Sequence, residues 1–102
     1  MKTNHLESIF RLGSLFAQIN NFDKAINFLS KVIEIEPNHS KAHNNLGIVF
    51  KGLGEYKHAM SAYQKAINIK PMHAPAHNNL GNIFKEIGEY KHAINSYQRA
   101  IQ

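Results

Sequence analysis

AHNNLG occupies residues 42–47, and the same six residues return at 76–81. A second pair of identical segments, GEYKHA at 54–59 and 88–93, keeps the same offset of 34 residues. A period of this length is typical of arrays in which each repeat is a pair of helices joined by a turn. The two echoes therefore predict an all-α protein assembled from stacked helix pairs.

The repeat extends over nearly the whole chain, because a shift of 34 residues also aligns the first third with the two copies. The aligned positions are apolar, aromatic or small, and the sets are Leu12, Leu46 and Leu80; Gly13, Gly47 and Gly81; Phe16, Phe50 and Phe84; Phe22, Tyr56 and Tyr90; Ala25, Ala59 and Ala93; Leu29, Tyr63 and Tyr97; and Val32, Ala66 and Ala100. Pro37 and Pro71 end the first two units, since proline stops a helix. We therefore expect a single domain over residues 1–102. Its units span 6–39, 40–73 and 74–102, and the last of them is truncated.

The order of these residues resembles the tetratricopeptide repeat. The pattern of that family is L-G-x-x-[FY], followed by alanine, an aromatic residue, a second alanine and proline. Ile9, His43 and His77 stand where the family often has tryptophan, which affects a local packing detail rather than the fold. The resemblance implies a right-handed α-solenoid of three antiparallel helix pairs, six helices in all, that works as a protein-interaction module.

Glycines mark both the turns and the close contacts of the expected helices. Gly54 and Gly88 are suited to end the first helices of their units in the left-handed conformation, and Asn20 takes this place in unit one. Gly47 lies inside a helix, where glycine costs about 1 kcal/mol relative to alanine. We therefore expect a neighbouring helix to approach Gly47 too closely for a side chain. The predicted helices span 6–19, 22–36, 40–53, 56–69, 74–87 and 90–102.

The composition is that of an ordinary soluble protein. The chain has 102 residues, 43% of them hydrophobic and 19% charged, and its formal net charge of +5 comes mostly from scattered lysines. It has no cysteine, which fits a reducing compartment, and no apolar segment long enough to cross a bilayer. We therefore expect a cytoplasmic protein that does not bind membranes and has no cofactor.

The resemblance also implies where a partner binds, because ligands of the family, usually peptides, lie on the concave wall formed by the first helix of each unit. Asn45 and Asn79 lie at the edge of that wall and resemble the asparagine ladder of the superhelices attached to O-linked glycosyltransferases, where asparagine amides hold a peptide main chain. The candidate groove residues are Lys41, Asn44, Asn45, Ile48, Lys51, Asn78, Asn79, Asn82 and Lys85. The equivalent wall of unit one holds Glu7, Phe10, Ser14 and Ala17. In the alternative interpretation, the asparagines are only solvated helix residues or neighbours of helix caps.

A structural role is the leading alternative to partner binding. The sequence stops at Gln102 inside the last predicted helix, where Ile94, Tyr97 and Ile101 would face solvent although their counterparts pack on a following unit. Two explanations stay open. The chain is a fragment of a longer array, attached in some relatives to a catalytic domain such as a glycosyltransferase, or the exposed face makes a homo-oligomer.

A clamp for the C-terminal carboxylate of chaperone tails is another use of this family. Such a clamp holds the carboxylate through charge-assisted hydrogen bonds from basic residues. The matching positions hold Phe10 and Ser14 in unit one, and Asn78 and Asn82 in unit three. None of these four residues is basic. We therefore do not expect a chaperone-tail clamp.

Histidine pairs raise the question of a metal site. His39 with His43, and His73 with His77, have the i, i+4 spacing that places two ligands on one helix face. One member of each pair lies in the turn before a helix, and no carboxylate or cysteine recurs beside the pairs. We therefore expect no metal site.

Catalysis and nucleic-acid binding have little support. The sequence has no serine, histidine and acid constellation and no glycine loop suited to a phosphate. Its positive charge is dispersed, and its aromatic residues are assigned to the core. We therefore expect that the protein is not an enzyme and that its partners are proteins or peptides rather than nucleic acids.

Overall fold

Six helices in three consecutive pairs make up the described part of the chain. The computed structural model describes the backbone of residues 2–102 and the side chains of residues 5–102. The helices are α1 (Lys2–Gln18), α2 (Phe22–Ile35), α3 (Ser40–Gly52), α4 (Tyr56–Ile69), α5 (Ala74–Glu86) and α6 (Tyr90–Ile101). Every predicted boundary is confirmed to within one residue, except that α1 begins four residues earlier than expected, at Lys2. The predicted all-α solenoid of helix pairs is confirmed.

The turns inside the units have the backbone geometry that the sequence predicted. Asn20, Gly54 and Gly88 have positive φ angles of 64°, 78° and 83°. In the second unit the amide of Glu55 donates to the carbonyl of Phe50 at 2.8 Å, and the amide of Gly54 donates to the carbonyl of Lys51 at 2.9 Å. This pair of bonds is the Schellman motif, which satisfies the last carbonyls of a helix and reverses the chain.

The turns between the units follow from proline. Glu36 and Lys70 precede the two interhelical prolines and have extended φ angles of −134° and −133°, because the ring of a following proline disfavours the helical region. Each of these residues still donates its amide into the last turn, Glu36 to Val32 at 2.8 Å and Lys70 to Ala66 at 2.9 Å. Helices α2 and α4 therefore stop at the prolines without leaving that amide unpaired.

Each interior glycine of the repeat, Gly13, Gly47 or Gly81, faces a leucine or tyrosine of the second helix of its unit. A Cβ atom built on Gly81 would lie 2.8 Å from Cε1 of Tyr97, and one built on Gly13 would lie 2.8 Å from Cγ of Leu29. At Gly47 the ring of Tyr63 is closer still. Burial of that ring raises the pKa of the Tyr63 phenol above its usual range. The close approach that the sequence predicted at Gly47 is confirmed, and its cause is the facing side chain of the second helix.

Each unit also packs on the one before it. Leu46 and Val49 of α3 are buried in one cluster with Leu29 and Val32 of α2. Leu12 occupies the equivalent position of the first unit but is 42% exposed, whereas Leu46 is 8% exposed, because no described residue packs where the preceding unit would lie. The apolar stripe of the first helices is therefore a surface for contact between units.

The curvature of the stack follows from which helices meet. Helix α3 contacts both α1 and α5. In contrast, no Cα atom of α2, α4 or α6 lies within 8 Å of a Cα atom of another of these three helices. The first helices of the units are therefore closely spaced and form the inner wall, and the second helices are splayed apart on the outside. Among the described residues, no helix combines the length and apolar character needed to span a bilayer.

Candidate partner-binding groove

The inner wall carries the candidate groove residues on α3 and α5, but they differ in accessibility. Lys41, Ile48, Asn78 and Lys85 are exposed, Asn45, Lys51, Asn79 and Asn82 are half-buried, and Asn44 is buried. The helices that carry these residues contact one another directly through the α3·α5 pair, and α3 also contacts α1. The wall is therefore a mixture of surface groups and groups that join neighbouring helices.

Asn44 departs from the expected position on the groove surface. Its side chain is only 6% exposed, and its Oδ1 accepts a hydrogen bond of 3.0 Å from Nδ2 of Asn79. A helical wheel of α3 alone places Asn44 beside the core, but it takes no account of α5, which covers this residue. Asn44 therefore joins two units and does not offer its amide to a partner.

Asn45 makes a similar contact with the first unit. Its Nδ2 donates to Oγ of Ser14 on α1 at 2.8 Å. A primary amide has two N–H donors and a carbonyl acceptor, so each of these bonds occupies only part of the hydrogen-bonding capacity of Asn45 and Asn79. Within the described residues, Oδ1 of Asn45 and Oδ1 of Asn79 accept no side-chain or capping hydrogen bond.

Asn82, on α5, is held by a residue of α6, the second helix of the same unit. The hydroxyl of Tyr97 donates to Oδ1 of Asn82, so that α6 fixes the orientation of a side chain on the inner wall. The amide of Asn82 keeps its two N–H donors for other partners. Four of the five candidate asparagines thus have hydrogen bonds that orient them, and Asn78 alone among the five has none in the described residues.

The charge of the wall is mainly basic. Nζ of Lys51 lies 3.5 Å from Oε1 of Glu86 on the next first helix, and Lys41 and Lys85 form no ion pair with any described residue. Glu86 was not predicted to belong to the wall, because it directly follows Lys85 and adjacent helix positions point about 100° apart. The two side chains of this ion pair are 31% and 42% exposed, so the pair contributes little stability.

A small pocket opens on the wall between α1 and α3. Its volume is about 140 Å³, and its lining residues are Ser14, Ala17, Gln18, Asn45 and Ile48. Ser14 and Ala17 were placed on the wall from the sequence, whereas Gln18 was missed. Its position one helical turn after Ser14 indicated the same face.

The histidine pairs have structural partners in place of a metal. Nε2 of His43 donates to the carbonyl of Pro37 at 2.9 Å, and Nε2 of His77 donates to the carbonyl of Pro71 at 2.8 Å. Nδ1 of His39 accepts from the amide of Ala42 at 3.0 Å and caps α3. In residues 5–102, no group of three or more histidine, aspartate or glutamate side chains is arranged to hold an ion.

His73, in the turn just before α5, bonds to the preceding helix pair. It is buried, and its Nδ1 lies 3.2 Å from Oγ of Ser40, which itself donates to the carbonyl of Ala66 at 3.1 Å. Because the single hydroxyl proton of Ser40 is used for Ala66, Nδ1 of His73 carries the proton that it shares with Ser40. Burial, and then the charges of Lys70 and Lys41 and the neighbouring His77, lower the pKa of His73.

The last helix presents the apolar face that the sequence predicted. Ile101 is 85% exposed, whereas Ile67, its equivalent in α4, is 8% exposed. Ile94 is also exposed, but Tyr97 is half-buried because its ring lies on Gly81. Ile94 and Ile101, rather than Tyr97, therefore dominate this surface.

Two protein-family models match the sequence over most of its length. The family described as TPR repeat matches residues 13–54 and 50–88. The family described as Tetratricopeptide repeat matches residues 76–102. No curated protein gives a significant match.

Solved structures of the protein MamA have the same architecture. A crystal structure of MamA is 29% identical to this chain, with a TM-score of 0.86, over 94% of this chain and 56% of that one. A structure of MamA 41-end from Desulfovibrio magneticus RS-1 is 23% identical, with a TM-score of 0.87, over 97% of this chain and 56% of that one. The second likeness is at the level of the fold alone. The chain therefore spans little more than half the length of these structures.

Proposed function

This chain belongs to the tetratricopeptide repeat family, and on that premise we propose that the inner wall of α1, α3 and α5 binds an extended segment of a partner protein. The repeats and the similar solved structures support a role as a protein-interaction scaffold. The proposed contact residues are Lys41, Asn45, Ile48, Lys51, Asn78, Asn79, Asn82 and Lys85. Asn44 has a different part in this proposal, which is to orient Asn79.

The orientation of the asparagine amides is the observation that carries this proposal. Asn45 and Asn79 are each fixed by one hydrogen bond and keep a carbonyl oxygen and one N–H. A peptide main chain offers the complementary N–H and C=O at every residue. Because the amides are already ordered, binding costs less side-chain entropy than it would with mobile residues.

The experiment uses Asn78 and Lys85, two exposed groove residues of α5 that make no side-chain hydrogen bond or ion pair with other described residues. Binding partners are captured on the immobilised chain and identified, and the affinity of each is then measured by calorimetry. Asn78→Ala combined with Lys85→Ala is expected to weaken the interaction at least tenfold without changing the helical circular dichroism. Asn95→Ala combined with Lys91→Ala removes the same residue types from exposed positions of α6 and serves as the control.

Unaltered affinity of the Asn78 and Lys85 double variant would contradict the groove assignment. A loss of affinity that was equal in the α6 control would place the interaction outside the inner wall. These two results are distinct because the two pairs of residues lie on different layers of the stack.

A second candidate function is self-association through the exposed face of α6. The specific observation is the contrast between Ile101 and its buried equivalent Ile67. Ile101→Asp is expected to convert an oligomer into a monomer in sedimentation velocity, whereas Ile35→Asp, at an exposed position of α2, is expected to have no effect. A wild-type chain that sediments as a monomer at high concentration contradicts self-association.

A further inference from the structure

The pocket between α1 and α3 differs from the rest of the inner wall in its chemistry. We infer that it selects partner segments with an aliphatic side chain that enters the pocket and an acidic residue three or four positions away. This inference rests on the groove proposed above and specifies the chemistry of its occupant. Ile48 is the residue that determines the specificity.

The size of the pocket suits one side chain. Its volume is about 140 Å³, similar to that of an apolar protein cavity of about 150 Å³ that takes up benzene. A leucine, isoleucine or valine side chain has comparable dimensions. A larger group such as a whole helix face does not fit between α1 and α3.

The walls of the pocket offer mainly carbon. Ile48 is 42% exposed on the inner wall, and Ala17 provides a second apolar wall. Of the three polar lining residues, Asn45 and Ser14 bond to each other at 2.8 Å, and Gln18 lies at the exposed edge. An aliphatic side chain placed against Ile48 and Ala17 would lose unfavourable contact with water.

The repeat itself shows that this apolar spot is local. The position of Ile48 is Ser14 in the first unit and Asn82 in the third. The remaining wall is therefore polar at the same level of the stack. A segment that crosses all three first helices meets one apolar site beside α3, so the register of the bound segment is determined there.

Charge and spacing define the second feature of the segment. Lys85 lies on α5, which is the first helix of the unit after the one that contains Ile48. It forms no ion pair with the described residues. Packed helices are about 8–10 Å apart, and Lys85 lies three residues after Asn82, the counterpart of Ile48, which adds about 4.5 Å along the helix axis. An extended chain advances about 3.3 Å per residue, so an acidic residue three or four positions from the aliphatic one reaches Lys85.

The test uses synthetic decapeptides of glycine and serine that carry one leucine and, four positions later or earlier, one glutamate. Binding is followed through amide chemical shifts in nitrogen-labelled protein, which report millimolar affinities and the location of the contact. The leucine peptide is expected to shift the amides of Ser14, Gln18 and Ile48. Replacing its leucine by serine is expected to weaken binding about tenfold, the order expected for partial burial of one aliphatic side chain.

The protein variant Ile48→Asn introduces the residue that the third unit already has at this position, so the scaffold tolerates it. This variant is expected to bind the leucine and serine peptides with equal affinity. Ile35→Asn makes the same change at an exposed isoleucine of α2, 56% accessible, and is expected to keep the preference for leucine. Lys85→Gln is expected to remove the difference between peptides with glutamate and with glutamine.

Each negative result has a separate meaning. Equal binding of the leucine and serine peptides to the wild-type chain overturns the inference about the pocket and leaves the groove in place. Absence of any shift with the leucine peptide also overturns the inference. The groove proposal is then judged by the Asn78 and Lys85 double variant with its captured partner, a measurement that does not depend on these peptides.

Discussion

Substitution of alanine for the interior glycines tests how the units are packed, because the same change meets different surroundings in two repeats. A Cβ atom on Gly47 would lie 2.6 Å from Cδ1 and 2.9 Å from Cζ of Tyr63. On Gly81 the corresponding distances to Tyr97 are 2.9 and 3.1 Å. Tyr63 is buried on all sides, whereas Tyr97 is half-buried at the open face of the third unit.

Two opposing effects determine the free energy of unfolding of these variants. Alanine favours a helix interior over glycine by about 1 kcal/mol, and insertion of a methyl group into a filled core costs about 1–3 kcal/mol. Tyr63 has no space into which to move, so we take the upper end of that range and expect Gly47→Ala to destabilise the protein by about 2 kcal/mol. Tyr97 is able to shift towards solvent, so for Gly81→Ala we expect a change of about 1 kcal/mol or less.

Urea denaturation followed by circular dichroism measures both changes. Gly54→Ala is the control for backbone strain, since a Cβ there meets no atom within 4 Å but the φ angle is +78°. It is expected to cost about 1 kcal/mol through conformation alone. Stability of Gly47→Ala equal to or above that of the wild type would refute the argument that the tyrosine ring excludes a side chain.

Three further changes test individual contacts. Asn79→Ala leaves Oδ1 of the buried Asn44 without its donor and is expected to cost about 1–3 kcal/mol in urea denaturation, whereas Asn78→Ala is expected to change stability by less than about 0.5 kcal/mol. The pKa of His73 is lower in the folded chain than its ordinary 6.5, so the unfolded chain binds this proton first and stability is expected to fall as the pH drops below 6.5. His73→Gln removes that part of the pH dependence, and a wild-type melting temperature that stays constant between pH 7 and pH 5 contradicts it. Asn20→Gly relieves a left-handed conformation that asparagine adopts at a cost, and it is expected to raise stability by about 0.5–1 kcal/mol.

The fold was predictable because its determinants recur within single units. Gly54 and Gly88 indicate a left-handed backbone conformation, Pro37 and Pro71 indicate where helices end, and Gly47 indicates a close contact between helices. Each of these effects acts within a few residues of chain or on the facing helix of the same unit. The early start of α1 was missed because no proline or glycine marks a boundary there.

The groove was less predictable because accessibility depends on the neighbouring unit. Asn44 and Asn78 have identical local sequences, AHNNLG, and equivalent places in their helices, yet Asn44 is 6% exposed and Asn78 is exposed. The difference arises from α5, which covers Asn44 and supplies Asn79 as its donor, whereas no described helix lies on the corresponding side of α5. The two asparagines of the first AHNNLG segment therefore have separate parts, since Asn44 bonds to the next unit, and Asn45 bonds back to the previous unit and keeps its carbonyl oxygen free of side-chain bonds among the described residues.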